Sequence, residues 1–279
     1  MNVRKAVITA AGRRQRGIPL QRVIDRDGVE KSVLRALLDE VLTGPIEELG
    51  LVVAPHDEAA YLELAGEHLS RVRIIVQAEP RGYGHAIACA QNFTAGEPFF
   101  HCVSDHLFVS SLAPGGLTQQ LVELAARECC SVSAVQATPE RLLTDFGAVG
   151  GQRISGRDGL YRVQAVLEKP TPTEAEQQLV VPGLRAGHYL CFFGMHVLTP
   201  LVMEWLASGE FANLAEAVAK LVQHETYLAT EVPARRYDLG LRYGLMNAQL
   251  AVALAGPDRE DVLARLVELL AVPHPVPRA

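Results

Sequence analysis

The sequence predicts an α/β protein whose central sheet is mostly parallel, covered by helices on both faces and continued by a mixed β extension. Two observations carry this prediction. Up to Asp105, short β-branched runs alternate with longer segments of helical period, the pattern of repeated strand–helix units. From about residue 131 onward the β runs lengthen and that alternation gives way.

Each element has its own signal. Ala6-Val7-Ile8-Thr9 reads as a first buried strand, followed by a glycine-containing basic segment from Ala11 to Pro19. Ser32 to Leu42 carries apolar residues at 33, 34, 37, 38, 41 and 42, a helical stripe that ends before Gly44-Pro45. Leu49 to Val53 is a second strand, Glu58 to Leu69 a helix, and Arg73 to Gln77 a third strand. His85 to Phe93 reads as helical, and Pro98 to Val103 as a strand ending at Ser104-Asp105. Beyond these come the β runs 131–136, 146–149, 161–167 and 189–198, with amphipathic helices near 200–207 and 213–223. Arg259 to Leu270 forms a final helix before a Pro-rich tail.

Composition narrows the class. The chain has 279 residues, 49% hydrophobic and 21% charged, which is ordinary globular composition with enough length to bury a core. Typical domains hold roughly 100–200 residues. No repeat and no long linker divides the chain, so residues 1–256 read as one unit and 257–279 as an appended helix and tail. A net charge of -6, with acids and bases interspersed, gives no basic footprint for nucleic acid. No apolar stretch approaches a membrane span, and the short run after Met1-Asn2-Val3-Arg4-Lys5 is too brief for a signal peptide. The five cysteines form no CxxC pair and sit mostly in apolar runs, as buried small hydrophobes of a cytoplasmic protein do.

Open parallel sheets bind ligands beyond the carboxyl ends of their strands. The first loop, the loop after Gln77 and Asp105 all fall at such ends, which is the reason to group them as one site. In Ala10-Ala11-Gly12-Arg13-Arg14-Gln15-Arg16, the glycine lets backbone approach a phosphate while amides and guanidinium groups offset its charge. The segment lacks the later glycines of a dinucleotide fingerprint, which disfavours a dehydrogenase. A side-chain amide such as that of Gln77 offers both a donor and an acceptor. His101 and His106 read as satisfied or exposed histidines rather than metal ligands.

The run Lys5-Ala6-Val7-Ile8-Thr9-Ala10-Ala11-Gly12 resembles the opening of the bacterial UTP–glucose-1-phosphate uridylyltransferase and sugar-phosphate nucleotidyltransferase family. Of that family's loop, A-A-G-x-G-T-R followed by x-L-P, the chain keeps Gly12, Arg16 and Pro19 but has Arg14 and Gln15 for the second glycine and the threonine. Gln77-Ala78-Glu79-Pro80-Arg81-Gly82-Tyr83-Gly84-His85-Ala86 is similar to its Q-x-x-P-x-G-x-G-H-A. Val166-Leu167-Glu168-Lys169-Pro170 matches V-x-E-K-P, Phe146-Gly147-Ala148-Val149 resembles Y/F-G-V-V, and Tyr237-Asp238-Leu239-Gly240 matches Y-D-x-G. Gly194, in Phe193-Gly194-Met195-His196, and Asn213-Leu214-Ala215-Glu216-Ala217 resemble the further G-R-Y and Q-L-T-D-A segments. The likeness runs in consistent order over roughly residues 5–250 and is weakest from Leu20 to Lys31, where no residue aligns with the family's lysine. Arg22 or Lys31 could substitute for it by charge alone.

The resemblance implies a Rossmann-like, nucleotide-diphospho-sugar transferase fold with a nucleotide-binding half of about 1–130 and a sugar-binding half of about 131–256. It implies an enzyme that joins UTP to a sugar 1-phosphate, releasing pyrophosphate and forming a UDP-sugar such as UDP-glucose. By the same resemblance, Ala10, Ala11, Gly12, Gln77, Pro80 and Gly82 bind the nucleotide, and Gly147, Glu168, Lys169 and Gly194 the sugar phosphate. Mg²⁺ would be held by Asp105 and Asp238, and Arg16 and Lys169 would neutralise phosphate charge. Another triphosphate or hexose phosphate, or a binding protein without turnover, remain alternatives. The final helix could cover the core or join copies of the chain into a homo-oligomer.

Overall fold

A strand buried on both faces must be apolar at its centre, and Ala6, Val7 and Ile8 are inaccessible to solvent. The computed structural model describes residues 1–13 and 16–272; Arg14, Gln15 and the Pro-rich tail lie outside the described residues. The chain runs through β1 (Lys5–Thr9), β2 (Arg22–Ile24), β3 (Glu30–Ser32), α1 (Val33–Leu42), β4 (Glu48–Val53), α2 (Glu58–Ala65), β5 (Val72–Val76), α3 (Tyr83–Ala88), α4 (Gln91–Thr94), β6 (Phe99–Val103), β7 (His106–Ser110) and α5 (Gly116–Glu128). It continues through β8 (Ser131–Pro139), β9 (Ala148–Arg153), β10 (Leu160–Leu167), α6 (Pro172–Gln178), β11 (His188–Leu198), α7 (Pro200–Ser208), α8 (Leu214–Leu221), β12 (Tyr227–Glu231), β13 (Ala234–Asp238), α9 (Gly244–Leu254) and α10 (Arg259–Ala271).

The main sheet has the order β5-β4-β1-β6-β11-β8-β12-β10-β9. Its first four strands are parallel, β1 pairing with both β4 and β6, and β4 with β5. This is the predicted parallel sheet. From β11 onward the pairing is mixed, as expected for the extension: β11 is antiparallel to β6 and β8, while β12 is parallel to β8. The first half of β11 also pairs with β9, at Leu190↔Val149 and Cys191↔Ala148, so the extension curls into a ring of β11, β8, β12, β10 and β9. At the junction β11 bulges between Phe192 and His196, and Gly194 at φ +95° occupies the bend.

Two apolar layers cover the two faces. One joins β1 and β4 side chains to α1 and α5, with Leu34, Leu37, Leu38, Leu117 and Leu121 buried. The other gathers α3, α7 and α8, with Ile87, Val202, Leu214 and Val218 buried. Ser32 caps α1 by accepting from the Arg35 amide at 3.0 Å, which starts the helix where the apolar stripe begins.

Several boundaries differ from the sequence prediction for local reasons. The helix expected to run to Leu69 stops at Ala65, because Gly66 takes a left-handed φ of +55° and a 3-10 segment, Gly66–Arg71, follows. The helix expected over 85–93 starts earlier, at Tyr83, and breaks at Ala90 before α4. Asp238 ends β13, which pairs antiparallel with β7 in a small separate sheet. No described helix is long and apolar enough to cross a membrane.

Candidate functional site

The carboxyl ends of β1, β5 and β6 open onto a cleft of about 720 Å³ that extends to the ring of the β extension. From the parallel side it is lined by Ala11, Gly12 and Arg13 of the first loop, by Gln77, Pro80 and Gly82, and by Asp105. From the β extension come Gly147, Glu168, Lys169 and Gly194, and Asp238 joins them from β13, which is paired with β7 beside Asp105. The first loop, Gln77 and Asp105 share one edge because parallel strands place their carboxyl ends together, and the mixed extension brings the later residues to the same concavity.

Gln77 is buried, and its amide Nε2 donates to the Gly82 carbonyl at 3.1 Å and faces His85 Nδ1 at 3.0 Å. Those contacts fix the amide plane at the cleft, which Gln77 lines. Gly82 holds φ +110°, which only glycine adopts without strain. Next to it the Gly84 amide donates to Ala212 O at 3.0 Å, and a Cβ at Gly84 would stand 2.7 Å from that oxygen. α3 is thereby pinned against the entry to α8.

Asp105 and Asp238 arrive from two strands held together. His106 donates from Nδ1 to Asp105 Oδ1 at 2.7 Å, and Gly240 N–H donates to Asp238 Oδ1 at 2.8 Å. Burial alone would raise the Asp105 carboxyl; the His106 hydrogen bond and charge and the Lys169 charge outweigh it and hold it below the usual carboxylate range. Asp238 goes the other way, raised by burial and by the negative charge of Asp105. The two neighbouring carboxylates thus feel each other.

On the wall formed by the β extension, Lys169 adopts φ +46°, a left-handed conformation for a residue that precedes Pro170. Its amide donates to Phe146 O at 3.2 Å, which fixes the turn. Glu168 is raised above its ordinary range by burial and by Glu216, against the pull of Lys169. A Cβ on Gly147 would lie 3.0 Å from Glu168 Oε2 and 2.8 Å from the Phe192 ring, so that glycine is a steric requirement.

Some expected residues are not at the cleft. Ala10 is a core residue whose amide donates to Val52 O at 2.7 Å. The Arg16 side chain turns to Asp57 at 3.8 Å, while its amide closes a turn on Gly12 O at 2.8 Å. Arg13, not singled out above, lines the cleft in its place. Lys31 is bridged to Asp25 at 2.8 Å and Asp39 at 2.9 Å, and Arg22 to Glu30 at 2.6 Å, so neither stands in for the family lysine here. Glu216 caps α8 by accepting from Ala212 N at 3.0 Å and Asn213 Nδ2 at 2.9 Å. A compact group of Asp39, Glu67 and His68 also exists, but Lys31 and Arg35 already neutralise it.

His101 is fully buried, bonded from Nδ1 to Val7 O at 2.9 Å and from Nε2 to Tyr83 OH at 2.6 Å. Burial takes its pKa down to about 4, a satisfied neutral histidine as expected. Sequence reasoning missed Tyr83, Phe192, His196, Leu214 and Ala215, all of which line the cleft. Four of them lie inside quoted segments and Phe192 directly precedes one, and for Tyr83, Phe192 and His196 the glycines of those segments are the signal that neighbouring side chains crowd a ligand.

Comparison with known proteins agrees with this geometry. Residues 5–252 match the family model described as Nucleotidyl transferase. The chain is 28% identical over 299 aligned positions to UTP–glucose-1-phosphate uridylyltransferase of Streptococcus pneumoniae serotype 4, covering 96% of each. It is 27% identical, with the same coverage, to UTP–glucose-1-phosphate uridylyltransferase 2 of Streptococcus pyogenes serotype M1. In structure it is similar to a UTP-bound UGPase from Acinetobacter baumannii, with a TM-score of 0.74 and 21% identity, covering 96% of this chain and 99% of that one. A UDP-glucose pyrophosphorylase complexed with UDP-glucose superposes with a TM-score of 0.73 at 19% identity, covering 89% of this chain and 98% of the other.

Proposed function

The chain belongs to the nucleotidyl transferase family, and on that premise we propose that it joins UTP to glucose 1-phosphate, forming UDP-glucose and pyrophosphate. The observation that carries the reading is the convergence of Gly12, Gln77, Asp105, Asp238, Glu168 and Lys169 on one cleft, together with relatives named for this reaction.

The chemistry is a displacement at phosphorus. An oxygen of the sugar 1-phosphate attacks the α-phosphorus of UTP, the bond from that phosphorus to the bridging oxygen breaks, and pyrophosphate leaves. Such a reaction needs alignment and charge neutralisation rather than a covalent nucleophile of the protein. Gln77, with its amide plane fixed, accepts from the base, and the first loop carries the phosphates with Arg13. Arg16 would join them by leaving Asp57, whose Oδ2 it approaches at 3.8 Å. Glu168 accepts from sugar hydroxyls, and Lys169 holds the attacking phosphate.

The donor set at the centre fits Mg²⁺. Asp105 and Asp238 are two hard oxygen donors whose mutual repulsion a divalent cation between them would relieve. Bound there, the ion would offset phosphate charge. We assign the cation site to these two residues.

The test is pyrophosphate release from purified protein with Mg²⁺ and glucose 1-phosphate against UTP, dTTP, CTP, ATP and GTP, with and without chelator. Release with UTP that the chelator stops supports the proposal. Release with a different triphosphate keeps the chemistry and changes the base. Nucleotide binding without release under any pairing would make the chain a sugar-nucleotide-binding protein and overturn the enzymatic reading.

A further inference from the structure

Beneath the cleft runs a chain of hydrogen bonds that the proposed reaction does not use. Tyr227 OH and Ser133 Oγ are 2.5 Å apart, and Ser133 Oγ and His196 Nδ1 are 2.6 Å apart, all inside the buried core. His196 lines the cleft two residues after Gly194, with the Phe192 ring edge-on at 5.0 Å. Phe192 N–H in turn donates to Gly147 O at 2.8 Å, so the ring that packs edge-on against His196 is tied to the Gly147 wall.

The direction of the chain follows from its closed end. Tyr227 is 1% exposed, and Ser133 is the partner its hydroxyl has among the described residues. A buried O–H without an acceptor is costly, so Tyr227 donates to Ser133. A serine hydroxyl has one proton, so Ser133, already accepting, donates to His196 Nδ1. The His196 proton must then sit on Nε2. The neighbouring His101, stacked at 6.0 Å, is fixed in the opposite tautomer, because Val7 O can only accept and therefore faces an Nδ1–H. Burial, followed by the charge that His101 would carry, pushes the His196 pKa well down, so the ring stays neutral.

We propose that His196 is a specificity-determining residue for the sugar, presenting a preset Nε2–H that donates to a hexose hydroxyl, with Ser133 and Tyr227 as positioning residues that set its tautomer. This rests on the reading that the hexose lies on the Gly147–Glu168 side of the cleft. His196 there is only a donor, and ionised Glu168 only an acceptor. A sugar hydroxyl can satisfy either one, and a deoxy position neither. The pair would therefore select for hydroxyl-bearing hexoses, with the neutral His196 adding no charge of its own beside Glu168.

Two measurements test it. Heteronuclear NMR on protein with ¹⁵N-labelled histidine, the His196 signal being assigned by its loss in His196→Phe, reads the tautomer directly. The expected result is a proton on Nε2 in the native chain and a growing Nδ1–H population in Tyr227→Phe. A native Nδ1–H tautomer overturns the proposal, whether or not the protein turns over substrate, so failure of the transferase reading remains a separate outcome.

The second measurement is kinetic, using glucose 1-phosphate and its 2-, 3-, 4- and 6-deoxy analogues. Loss of one neutral hydrogen bond with its buried partner left unmet should raise KM for glucose 1-phosphate about tenfold in His196→Phe and leave KM for UTP unchanged. One deoxy analogue should show that same penalty with the native protein and no further penalty with the variant. Tyr227→Phe should move the same constant in the same direction by less. Equal rises for UTP and sugar, or additive penalties with every analogue, overturn the assignment.

Discussion

Leu239 N–H donates to the carbonyl of Asp105 at 2.8 Å, so the residue after Asp238 is stitched to the backbone of the other carboxylate. Asp238 itself pairs across β13 and β7 with His106, the residue that donates to Asp105. The separation of the two carboxylates is thus set by backbone pairing between segments more than a hundred residues apart in sequence, and not by flexible loops.

That arrangement trades stability for function. Asp238 is raised by burial and by the Asp105 charge, so its ionised form costs folding free energy at neutral pH when no cation lies between them. Asp238→Asn should therefore raise the thermal midpoint in the presence of chelator while lowering pyrophosphate release by about 10²–10³-fold, the usual cost of removing a preorganised electrostatic group. Asp105→Asn should lose turnover by a similar factor with the fold retained by circular dichroism. Activity close to the native level in either variant would contradict the assignment of these residues to the cation.

Glu168 gives a pH prediction. Its carboxyl is raised above the ordinary carboxylate range, chiefly by burial, and only the ionised form accepts from two hydroxyls. Sugar binding should therefore be complete well above that raised pKa and weaken as pH falls through it. The KM for glucose 1-phosphate should rise on acidification, while Glu168→Gln starts from a higher KM and loses that part of the pH dependence. A pH profile identical in the two proteins would remove Glu168 from the sugar site.

Gly194 permits the bulge that aims β11 into the cleft. It holds φ +95°, and a Cβ there would stand 2.7 Å from Val103 Cγ2, two residues before Asp105. Gly194→Ala should cost about 1–3 kcal/mol of stability, the range for a strained left-handed residue. The shift of Val103 should also lower kcat. Urea unfolding and steady-state rates measure both, and a variant equal to native in both would show that the bend adapts.

Much of this site was legible because chemistry sits at strand ends. The first loop after β1, Gln77 after β5 and Asp105 after β6 follow runs whose burial and alternation mark them as strands, and the parallel sheet brings them together. What escaped was structure with weak or truncated periodicity. β13, Ala234-Arg235-Arg236-Tyr237-Asp238, has no apolar run, and β7 begins directly after Asp105, where the preceding strand had just ended, yet together they carry the Asp105–Asp238 relationship. α9 is apolar around most of its circumference, so no stripe singles it out. α5 did have a stripe, Leu117, Leu121, Val122 and Ala125, and α6 a capping box at Thr171 and Glu174; both were readable signals. His196 could not be placed from sequence, because its position depends on the β11 bulge, a tertiary feature.

Arg236 supplies the last prediction. It is 6% exposed, and its guanidinium donates to the Cys191 carbonyl at 3.3 Å, to the Phe192 carbonyl and to Thr138 Oγ1 at 3.2 Å. Its face lies 3.6 Å from the centre of the Phe146 ring. Burial lowers its pKa to about 10, so it remains charged at neutral pH. One planar fork therefore ties β13 to β8 and β11, backs the cleft-lining Phe146 ring and holds the backbone that carries the Phe192 ring. A lysine keeps the charge but cannot span three acceptors and stack at once. Leaving a buried acceptor unmet costs about 1–3 kcal/mol, and the lost ring contact adds about 0.5–2 kcal/mol. Arg236→Lys should therefore lower the urea midpoint and, by loosening both rings, raise KM for the sugar phosphate more than KM for UTP. An unchanged midpoint would mean that the fork is dispensable, and a KM rise shared equally by both substrates would mean that it supports the whole cleft rather than its sugar wall.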